Sequence, residues 1–346
     1  MRVLVAMSGG VDSSVAAALL QESGHDVVGA TMKLWGGDSD SGCCSVADVE
    51  DARRVAQQLG IAHHVFNFTD DFDRNVVDRY VAEHAAGRTP NPCIECNRHL
   101  KFDRLLRRAD QLGFDAVATG HHARITTTPA GRYQLRRGAD RLKDQSYVLY
   151  VLGQAELGRV ILPVGELTKA DVRARASALG LRTAAKPDSQ DVCFITRTGG
   201  RAAFLGERIP LHPGRLVDHA TGEELGNVAA VELVTIGQRR GLGEQPEGAG
   251  RRYALNVDLA TSTVTVGPLE RLLIDHARID EWCWTDQPLA CGTRVEAQLT
   301  AHGTPVAAVL GDDGAIRFDE RQRRVAPGQS VVIYRGDAVL GGGIAA

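Results

Sequence analysis

The sequence predicts an α/β protein in which a doubly wound parallel-sheet domain precedes two small β-rich domains, the last of them a β-barrel. A chain of 346 residues is too long for most single cores. Its first half alternates short apolar runs with helical patterns, the rhythm of βαβ units. After about residue 200, short β-rich runs alternate with turn signals. We therefore predict domains at residues 1–200, 201–272 and 273–346.

The elements of the first half follow from the apolar periodicity. Strands are predicted over residues 3–7, 27–32, 65–68 and 116–118, and helices over 13–22, 46–59, 99–112 and 170–179. Ser45 is the expected N-cap of the second helix, and Gly60 lies just past its end. Ligands of open parallel sheets bind beyond the carboxyl ends of the strands, so the segments after these strands are the first candidates for a site.

The second half is predicted to consist of β-hairpins. Residues 253–257 and 263–266 form one of them, and the clearest turns are Thr221-Gly222 and Arg335-Gly336-Asp337. Such spacing is typical of small β domains or barrels.

Composition narrows the class of protein. No run of about 18 apolar residues could span a membrane. The N-terminus enters an apolar strand without a signal-peptide pattern, so we expect a cytoplasmic protein whose seven cysteines are not structural disulfides. A net charge of −3 argues against a general nucleic-acid coat. Each arginine cluster alone is typical of a solvated surface, but several together favour a local basic groove.

A glycine-rich segment between the first strand and the first helix is the strongest motif. It follows Ala6 and Met7 and reads Ser8-Gly9-Gly10-Val11-Asp12-Ser13. Glycines let the backbone approach a phosphate, and the helix N-terminus attracts the anion. The spacing matches neither a Walker A motif nor the dinucleotide fingerprint. The alternative is a serine–glycine turn with Asp12 as a helix cap, but the strand–loop–helix context favours a nucleotide site.

Two further strand ends are expected at the same edge of the sheet. Met32 ends the second strand, and its main chain is placed to read an adenine edge. Gly120 and His121 follow the strand at 116–118. We expect Gly120 to leave space beside the nucleotide, and His121 either to contact substrate or to cap a helix.

Three cysteines are candidates for chemistry. Cys93 and Cys96 are spaced as a redox or metal pair near a helix start, where thiol pKa values fall. The alternative is two small buried apolar residues. A second Cys-x-x-Cys is absent from the sequence, which argues against a four-cysteine zinc knuckle. Cys193 follows a polar run, so it is either a thiol on a mobile loop or a buried residue of a late strand.

Taken together, the motifs resemble those of bacterial tRNA-specific 2-thiouridylases, a family of the ATP-pyrophosphatase-loop superfamily. The resemblance covers nearly the whole chain and rests on residues 8–14, 91–97, 118–121, 143–147, 188–194, 327–329 and 340–344. It implies an adenine-nucleotide α-hydrolase-like fold that uses ATP with Mg²⁺. It also implies adenylation of O2 of the wobble uridine (U34), attack by a persulfide on Cys193, and resolution by Cys96, including a Cys96–Cys193 disulfide.

One departure concerns Cys93, because many family members have an aspartate there that is thought to help activate the uridine. A thiol is a poorer general base, so Cys93 is at most an assisting thiol. Alternatively, Cys93, Cys96 and Cys193 hold three irons of a [4Fe-4S] cluster, since three thiolates suit such a cluster. We favour the persulfide.

The resemblance also implies partners. These are the tRNAs for Lys, Glu and Gln, a persulfide donor such as a cysteine desulfurase or a sulfur-relay protein, and no membrane. The residues implied to contact tRNA are Asn91, Pro92, Cys93, His121, Lys143, Asp144, Gln145, Gln298, Leu299 and Gln329. Gln298 and Leu299 stand where some relatives carry an Arg-Tyr pair, which weakens that contact. The rival hypotheses are a 4-thiouridine synthase, an amidating ligase, and a non-enzymatic iron–sulfur or RNA-binding module.

Overall fold

A computed structural model describes residues 1–35, 45–188, 192–195, 199–243, 251–312 and 314–346. Its first part is built on a five-stranded parallel sheet in the order β3-β2-β1-β4-β7. The strands are β1 (Arg2–Ala6), β2 (Asp26–Lys33), β3 (His63–Asn67), β4 (Ala116–Ala118) and β7 (Val160–Ile161). The predicted parallel sheet is confirmed.

Apolar cores cover both faces of this sheet. Leu4 and Ala6 of β1 belong to one core, whereas Val3 and Val5 belong to the other. Successive side chains of a strand point to opposite faces, so this alternation is what a doubly wound sheet requires. The helices α1 (Val11–Glu22), α2 (Val46–Leu59) and α8 (Lys169–Ala178) contribute to the second core. Ser45 caps α2 through its hydroxyl, and Gly60 ends α2 with φ 69°, as predicted.

The helical segments beside the first core depart from the prediction. A run of helix that the sequence did not indicate comprises α3 (Thr69–Phe72), a π-helical turn (Asp73–Val77) and α4 (Asp78–Ala85). The helix predicted to begin at residue 99 begins at Pro92 instead, as α5 (Pro92–Glu95), a π-helical stretch (Cys96–Arg104) and α6 (Leu105–Gln111). That boundary was wrong because Pro92 lies in the first turn of the helix, a position where proline is favoured.

The middle of the chain forms a smaller sheet in the order β10-β11-β8-β9. The 253–257 hairpin is confirmed, because β10 pairs antiparallel with β11. The strands are β8 (Gly214–Asp218), β9 (Glu224–Val228), β10 (Tyr253–Asp258) and β11 (Thr263–Gly267), and helix α9 (Gly200–Gly206) precedes them.

The C-terminal strands close into a six-stranded barrel, which confirms the predicted architecture. The order is β12-β15-β14-β13-β16-β17, and pairing of β12 with β17 closes the ring. The strands are β12 (Leu273–Trp284), β13 (Arg294–Gln298), β14 (Val306–Leu310), β15 (Ala315–Arg323), β16 (Ser330–Arg335) and β17 (Ala338–Ala345).

A hairpin from the first half of the chain extends this barrel. Strands β5 (Ala123–Thr127) and β6 (Tyr133–Arg137) pair with each other, and Arg136 of β6 pairs with Ala338 of β17. Helix α7 (Gln154–Leu157) follows this hairpin. Val332 and Tyr334 of the barrel lie in the same core as Leu4 of β1. The barrel is therefore packed onto the α/β domain. In the part of the chain described, no helix is long and apolar enough to cross a membrane.

Candidate active site

The glycine-rich loop joins β1 to α1 and is fixed by its own hydroxyl groups. We call residues Ser8 to Ser13 the ATP loop. Ser13 Oγ accepts a hydrogen bond from Ser8 N at 3.2 Å and donates to the Gly10 carbonyl at 3.2 Å. Gly9 has φ 73°, and a Cβ there would overlap the backbone of Asp48 in α2. The loop is thus held in a shape that only glycine permits, with the α1 N-terminus behind it.

Asp12 of the loop is held by two partners, His122 and Lys169, that the sequence analysis did not identify. His122 Nε2 lies 3.0 Å from Asp12 Oδ1, and Lys169 Nζ lies 2.7 and 2.8 Å from the two carboxylate oxygens. Burial alone would raise the pKa of Asp12, but the hydrogen bonds from His122 and Lys169 outweigh it and keep that pKa below its ordinary value. Asp12 is therefore an anion at neutral pH.

Lys169 connects this loop to the segment that leads to Cys193. Its Nζ also lies 2.8 Å from Asp188 Oδ1, and Asp188 further accepts hydrogen bonds from Lys143 and Arg173 at 2.8 Å. Burial opposes ionisation of Asp188, yet the bonds from Lys143 and Lys169 hold its pKa far below the ordinary value.

A second lysine anchors the same segment. Lys186 Nζ donates to the Gly9 carbonyl at 3.0 Å and lies 2.5 and 2.7 Å from carboxylate oxygens of Asp48 and Asp51. Its pKa is raised: burial opposes the charge, but the bonds to Asp48 and Asp51 prevail. Residues 186–188 are thus bonded to the ATP loop from two sides.

The strand-edge residues predicted from the sequence lie around the loop. Gly120 approaches it so closely that a Cβ would lie 2.6 Å from Ser13 N and 2.7 Å from the Asp12 carbonyl carbon. Gly120 therefore makes room for the loop backbone itself. His121 is buried, its Nδ1 lies 2.7 Å from Thr119 Oγ1, and burial lowers its pKa well below the ordinary value.

The apolar members of the predicted nucleotide site are buried. Ala6, Met7, Val11 and Met32 all lie in the cores of the sheet domain. Their side chains are consequently not available to a nucleotide, and any contact from these positions runs through the main chain.

The cysteine pair opens the helix that begins at Pro92. The Asn91 side chain caps this helix by accepting from Cys93 N at 3.1 Å. Cys93 is exposed and Cys96 is buried. Cys96 belongs to an apolar cluster against which half-buried Cys193 packs. We call Cys96, Cys193 and their buried aromatic neighbours the cysteine core. The aromatic members are Phe72, Tyr80, Phe194 and Phe204.

Aromatic rings fix the position of Phe194, the residue after Cys193. Its ring centroid lies 5.0 Å from that of Phe204, 5.5 Å from Tyr80 and 5.6 Å from Phe72. Phe194 is therefore held by aromatic packing, whereas the ATP loop is held by hydrogen bonds and ion pairs. Residues 189–191 of the predicted Cys193 motif lie outside the described residues.

Buried Glu95 lies next to Cys96 and was missed by the sequence analysis. Its carboxylate lies 3.5 Å from Arg79 Nη1, 3.8 Å from Arg98 Nε and 3.3 Å from His99 Nε2. It lines a cleft with Asn91, and Ser330 of the barrel lies on the same cleft. The only signal in the sequence was an acidic residue inside the cysteine pair, which is not specific.

The predicted tRNA-contacting residues divide into two groups. Those near the ATP loop include Lys143, which is bonded to Asp188, and Gln145, whose side-chain oxygen accepts from His122 N at 2.9 Å. Asp144 is bonded to Arg137 and Ser146. Asn91, Pro92 and Cys93 lie at the start of α5, and Pro92 is buried.

The second group lies in or beside the barrel. Gln329 donates its amide to the Thr89 carbonyl, just before Asn91. Gln298 is buried, and its amide donates to the carbonyls of Thr300 and Ala301 at 3.0 and 3.1 Å. Leu299 packs on the barrel core. The structure thus places Gln329 beside the residues that precede Asn91 and Cys93. The Gln298 side chain is instead hydrogen-bonded to the turn that follows it.

Metal-binding side chains do not gather in the described ranges. No group of three or more His, Cys, Asp or Glu residues there is arranged to hold a metal ion.

Family models cover almost all of this architecture. A tRNA methyl transferase HUP domain matches residues 1–197, a tRNA methyl transferase PRC-barrel domain matches 202–268, and an aminomethyltransferase β-barrel domain matches 274–345. These three matches follow the order of the sheet domain, the small sheet and the barrel.

Full-length relatives identify the family. A tRNA-specific 2-thiouridylase from Roseiflexus sp. (strain RS-1) is 46% identical over 99% of this chain and 98% of its own. One from Chloroflexus aurantiacus is 47% identical over 99% and 97%. The chain belongs to the tRNA-specific 2-thiouridylase family. A solved U34-tRNA thiolase from Methanococcus maripaludis is 19% identical over 60% of this chain and 62% of its own, with a TM-score of 0.38, which is too weak to argue from.

Proposed function

We propose that this protein is a tRNA-uridine 2-sulfurtransferase that uses ATP to replace O2 of the wobble uridine with sulfur. The observation that carries the proposal is the joining of two sites. The segment leading to Cys193 is bonded to the ATP loop through Lys186 and Asp188, while Cys193 packs against the cluster that contains Cys96. An ATP loop and a pair of thiols in one domain fit activation of a carbonyl oxygen followed by sulfur transfer.

The first step is adenylation. Uridine O2 attacks the α-phosphate of ATP, and pyrophosphate leaves. The N–H groups of the ATP loop and the α1 N-terminus suit the phosphate anion, and Lys169 and Lys186 add positive charge beside it. Mg²⁺ bound with ATP would neutralise phosphate charge. Anionic Asp12 would supply the loop's carboxylate ligand to that ion.

The second step moves the sulfur. The terminal sulfur of a Cys193 persulfide attacks C2 and AMP leaves, so that the base is joined to Cys193 through a disulfide. The Cys96 thiolate then attacks the Cys193 sulfur. This releases the 2-thiouridine and leaves a Cys96–Cys193 disulfide, which a dithiol reductant returns to two thiols. The apolar cysteine core keeps water from the persulfide.

The target base must leave its stack to reach these groups. Asn91, Pro92 and Cys93 are proposed to lie beside it, with Cys93 as an assisting thiol. Lys143, Asp144, Gln145, His121 and Gln329 are proposed to hold the surrounding RNA. For Gln298 and Leu299 there is no such support, because Gln298 is buried and Leu299 is partly buried against the barrel core. We propose the tRNAs for Lys, Glu and Gln as substrates and a cysteine desulfurase or sulfur-relay protein as the donor, in the cytoplasm.

Variants of the two thiols test this function. Cys193→Ser and Cys96→Ser are each expected to reduce 2-thiouridine to below about 1% of wild type, because removing a nucleophile costs orders of magnitude in rate. Mass spectrometry of nucleosides from reacted tRNA measures the product. ATP–pyrophosphate exchange with tRNA is expected to persist in both variants, since neither thiol is needed for adenylation.

Exposed Cys291 provides the matched control, and Cys291→Ser is expected to act like wild type. Full 2-thiouridine formation by both variants of Cys96 and Cys193 would rule out the thiol mechanism. Iron is measured in the same anaerobic preparations, and activity that depends on bound iron would restore the [4Fe-4S] alternative.

A further inference from the structure

The link between Lys169 and Asp188 joins the two sites, although Lys169 belongs to none of the predicted motifs and Asp188 was assigned no role in the motif that contains Cys193. Lys169 follows Thr168, the N-cap of α8, and its side chain is 12% exposed. Asp188 precedes Cys193 by five positions in the sequence. The nitrogen of Lys169 is thus a single atom in contact with both the ATP loop and the segment that leads to the sulfur-carrying thiol.

The donors of Lys169 are fully used. An ammonium group has three N–H donors. Lys169 Nζ already lies within 2.8 Å of three carboxylate oxygens, two of Asp12 and one of Asp188. A phosphate oxygen that reaches Lys169 must therefore displace a carboxylate. Asp12 belongs to the loop itself, whereas Asp188 lies on another segment and would be repelled by the phosphate charge.

We propose that ATP phosphate and Asp188 compete for Lys169, so that nucleotide binding releases Asp188 from Lys169 and makes the thiol of Cys193, five positions later, more accessible. Lys169 is a phosphate-binding residue in this proposal, and Asp188 is a positioning residue. The proposal rests on the proposed function only in assigning the persulfide sulfur to Cys193. Coupling between two sites is reciprocal. Removing the Lys169–Asp188 ion pair should therefore strengthen ATP binding by the same factor by which ATP weakens that ion pair.

Alkylation of Cys193 in the full chain measures this competition. The protein is treated with iodoacetamide with and without α,β-methylene-ATP and Mg²⁺, and labelling of each cysteine is read by peptide mass spectrometry. We expect the nucleotide to raise the Cys193 labelling rate at least about threefold in wild type. Asp188→Asn is expected to show the raised rate without nucleotide and to bind the analogue as tightly as wild type or more tightly.

Glu22→Gln is the matched control, because Glu22 pairs with Arg175 on the exposed side of the same helix α8. It is expected to keep the nucleotide effect. Labelling of buried Cys96 reports any general unfolding. If Asp188→Asn does not fold, Lys169→Gln tests the same link, with raised labelling expected in the absence of nucleotide.

Two results would overturn the proposal. One is a Cys193 labelling rate in wild-type protein that is the same with and without the nucleotide. The other is Asp188→Asn protein that keeps the nucleotide effect or binds the analogue more weakly. The labelling contains neither tRNA nor sulfur donor, so its outcome is independent of whether Cys193→Ser abolishes 2-thiouridine.

Discussion

The ATP loop and the cysteine core belong to one domain but are stabilised by opposite means. Around the loop, charges are close and paired: Asp12 with Lys169, and Lys186 with Asp48. His122 adds a hydrogen bond to Asp12. In the cysteine core, Phe194 packs against neighbouring aromatic rings. An anion site gains from fixed donors and cations, whereas a persulfide gains from the exclusion of water. The two halves of the reaction therefore require different surroundings.

Removing Phe194 should damage the cysteine core alone. Phe194→Ala is expected to lower the free energy of unfolding by about 3–5 kcal/mol, because it opens a cavity among four aromatic rings. At a temperature where the variant stays folded, 2-thiouridine formation should fall at least about tenfold. The dissociation constant for ATP should change less than about twofold. Chemical denaturation, nucleoside mass spectrometry and calorimetry measure the three quantities.

Phe318→Ala, in the barrel core, is the matched control. It is expected to lose similar stability without the specific loss of 2-thiouridine formation. An equal loss of ATP affinity in Phe194→Ala would show that the two regions are not separable.

A methyl group at Gly120 should damage the ATP loop alone. In Gly120→Ala the new Cβ meets Ser13 N and the Asp12 carbonyl carbon, both backbone atoms, so the loop must shift. We expect ATP affinity to fall roughly 30- to 100-fold, equivalent to about 2–3 kcal/mol. Loading of persulfide onto Cys193 should be unchanged. Isothermal calorimetry and mass spectrometry of the loaded protein measure the two.

Gly206→Ala is the control for Gly120, because the nearest atom there is the flexible end of Leu211, at 3.3 Å. Unchanged ATP binding by Gly120→Ala would contradict the close approach described for the loop.

Acid should weaken the cysteine core before the loop. Burial lowers the pKa of His84, which stacks edge-on against Tyr80, to about 4, and the Arg201 charge adds to the shift. The unfolded chain binds the proton more tightly, so His84 reduces stability as pH falls from about 6.5 to 4. This costs about 1–2 kcal/mol at pH 5. Asp12 has a lowered pKa, so its contribution is lost only below about pH 4.

Denaturation of wild type and His84→Gln at pH 7 and 5 measures this difference. The variant is expected to lose less stability than wild type on acidification. His64→Gln, at an exposed histidine, is the control. Identical pH dependence in wild type and His84→Gln would place the acid-sensitive group elsewhere.

The sequence predicted the local features of both regions. The strand–loop–helix order, the Ser45 cap and the closing Gly60 depend on residues near one another in the chain. The helix at Pro92 was misplaced because proline both breaks helices and begins them, and only the surrounding packing decides between the two.

Contacts between residues far apart in the chain could not be predicted from the sequence. Lys169 and His122 lie 157 and 110 positions from Asp12, so no spacing rule connects them. A signal existed in the position of His122 after a strand end, but it was assigned to neighbouring His121. Likewise, the alternation of apolar and polar residues in β5 and β6 did not indicate that β6 would pair with a strand of the barrel.

That shared pairing has a consequence for how the protein is made. Arg136 pairs with Ala338, and Arg137 N donates to the Asp337 carbonyl at 2.8 Å, so the hairpin's partner is synthesised about two hundred residues later. At about 5–20 residues per second, a ribosome needs roughly 10–40 s for that length. Tyr150, which belongs to the same core as Cys96, likewise forms its hydrogen bond with Ser330 only after the barrel strand has been made. The ATP loop can form early in translation, but the surroundings of the thiols are complete only when the barrel has emerged.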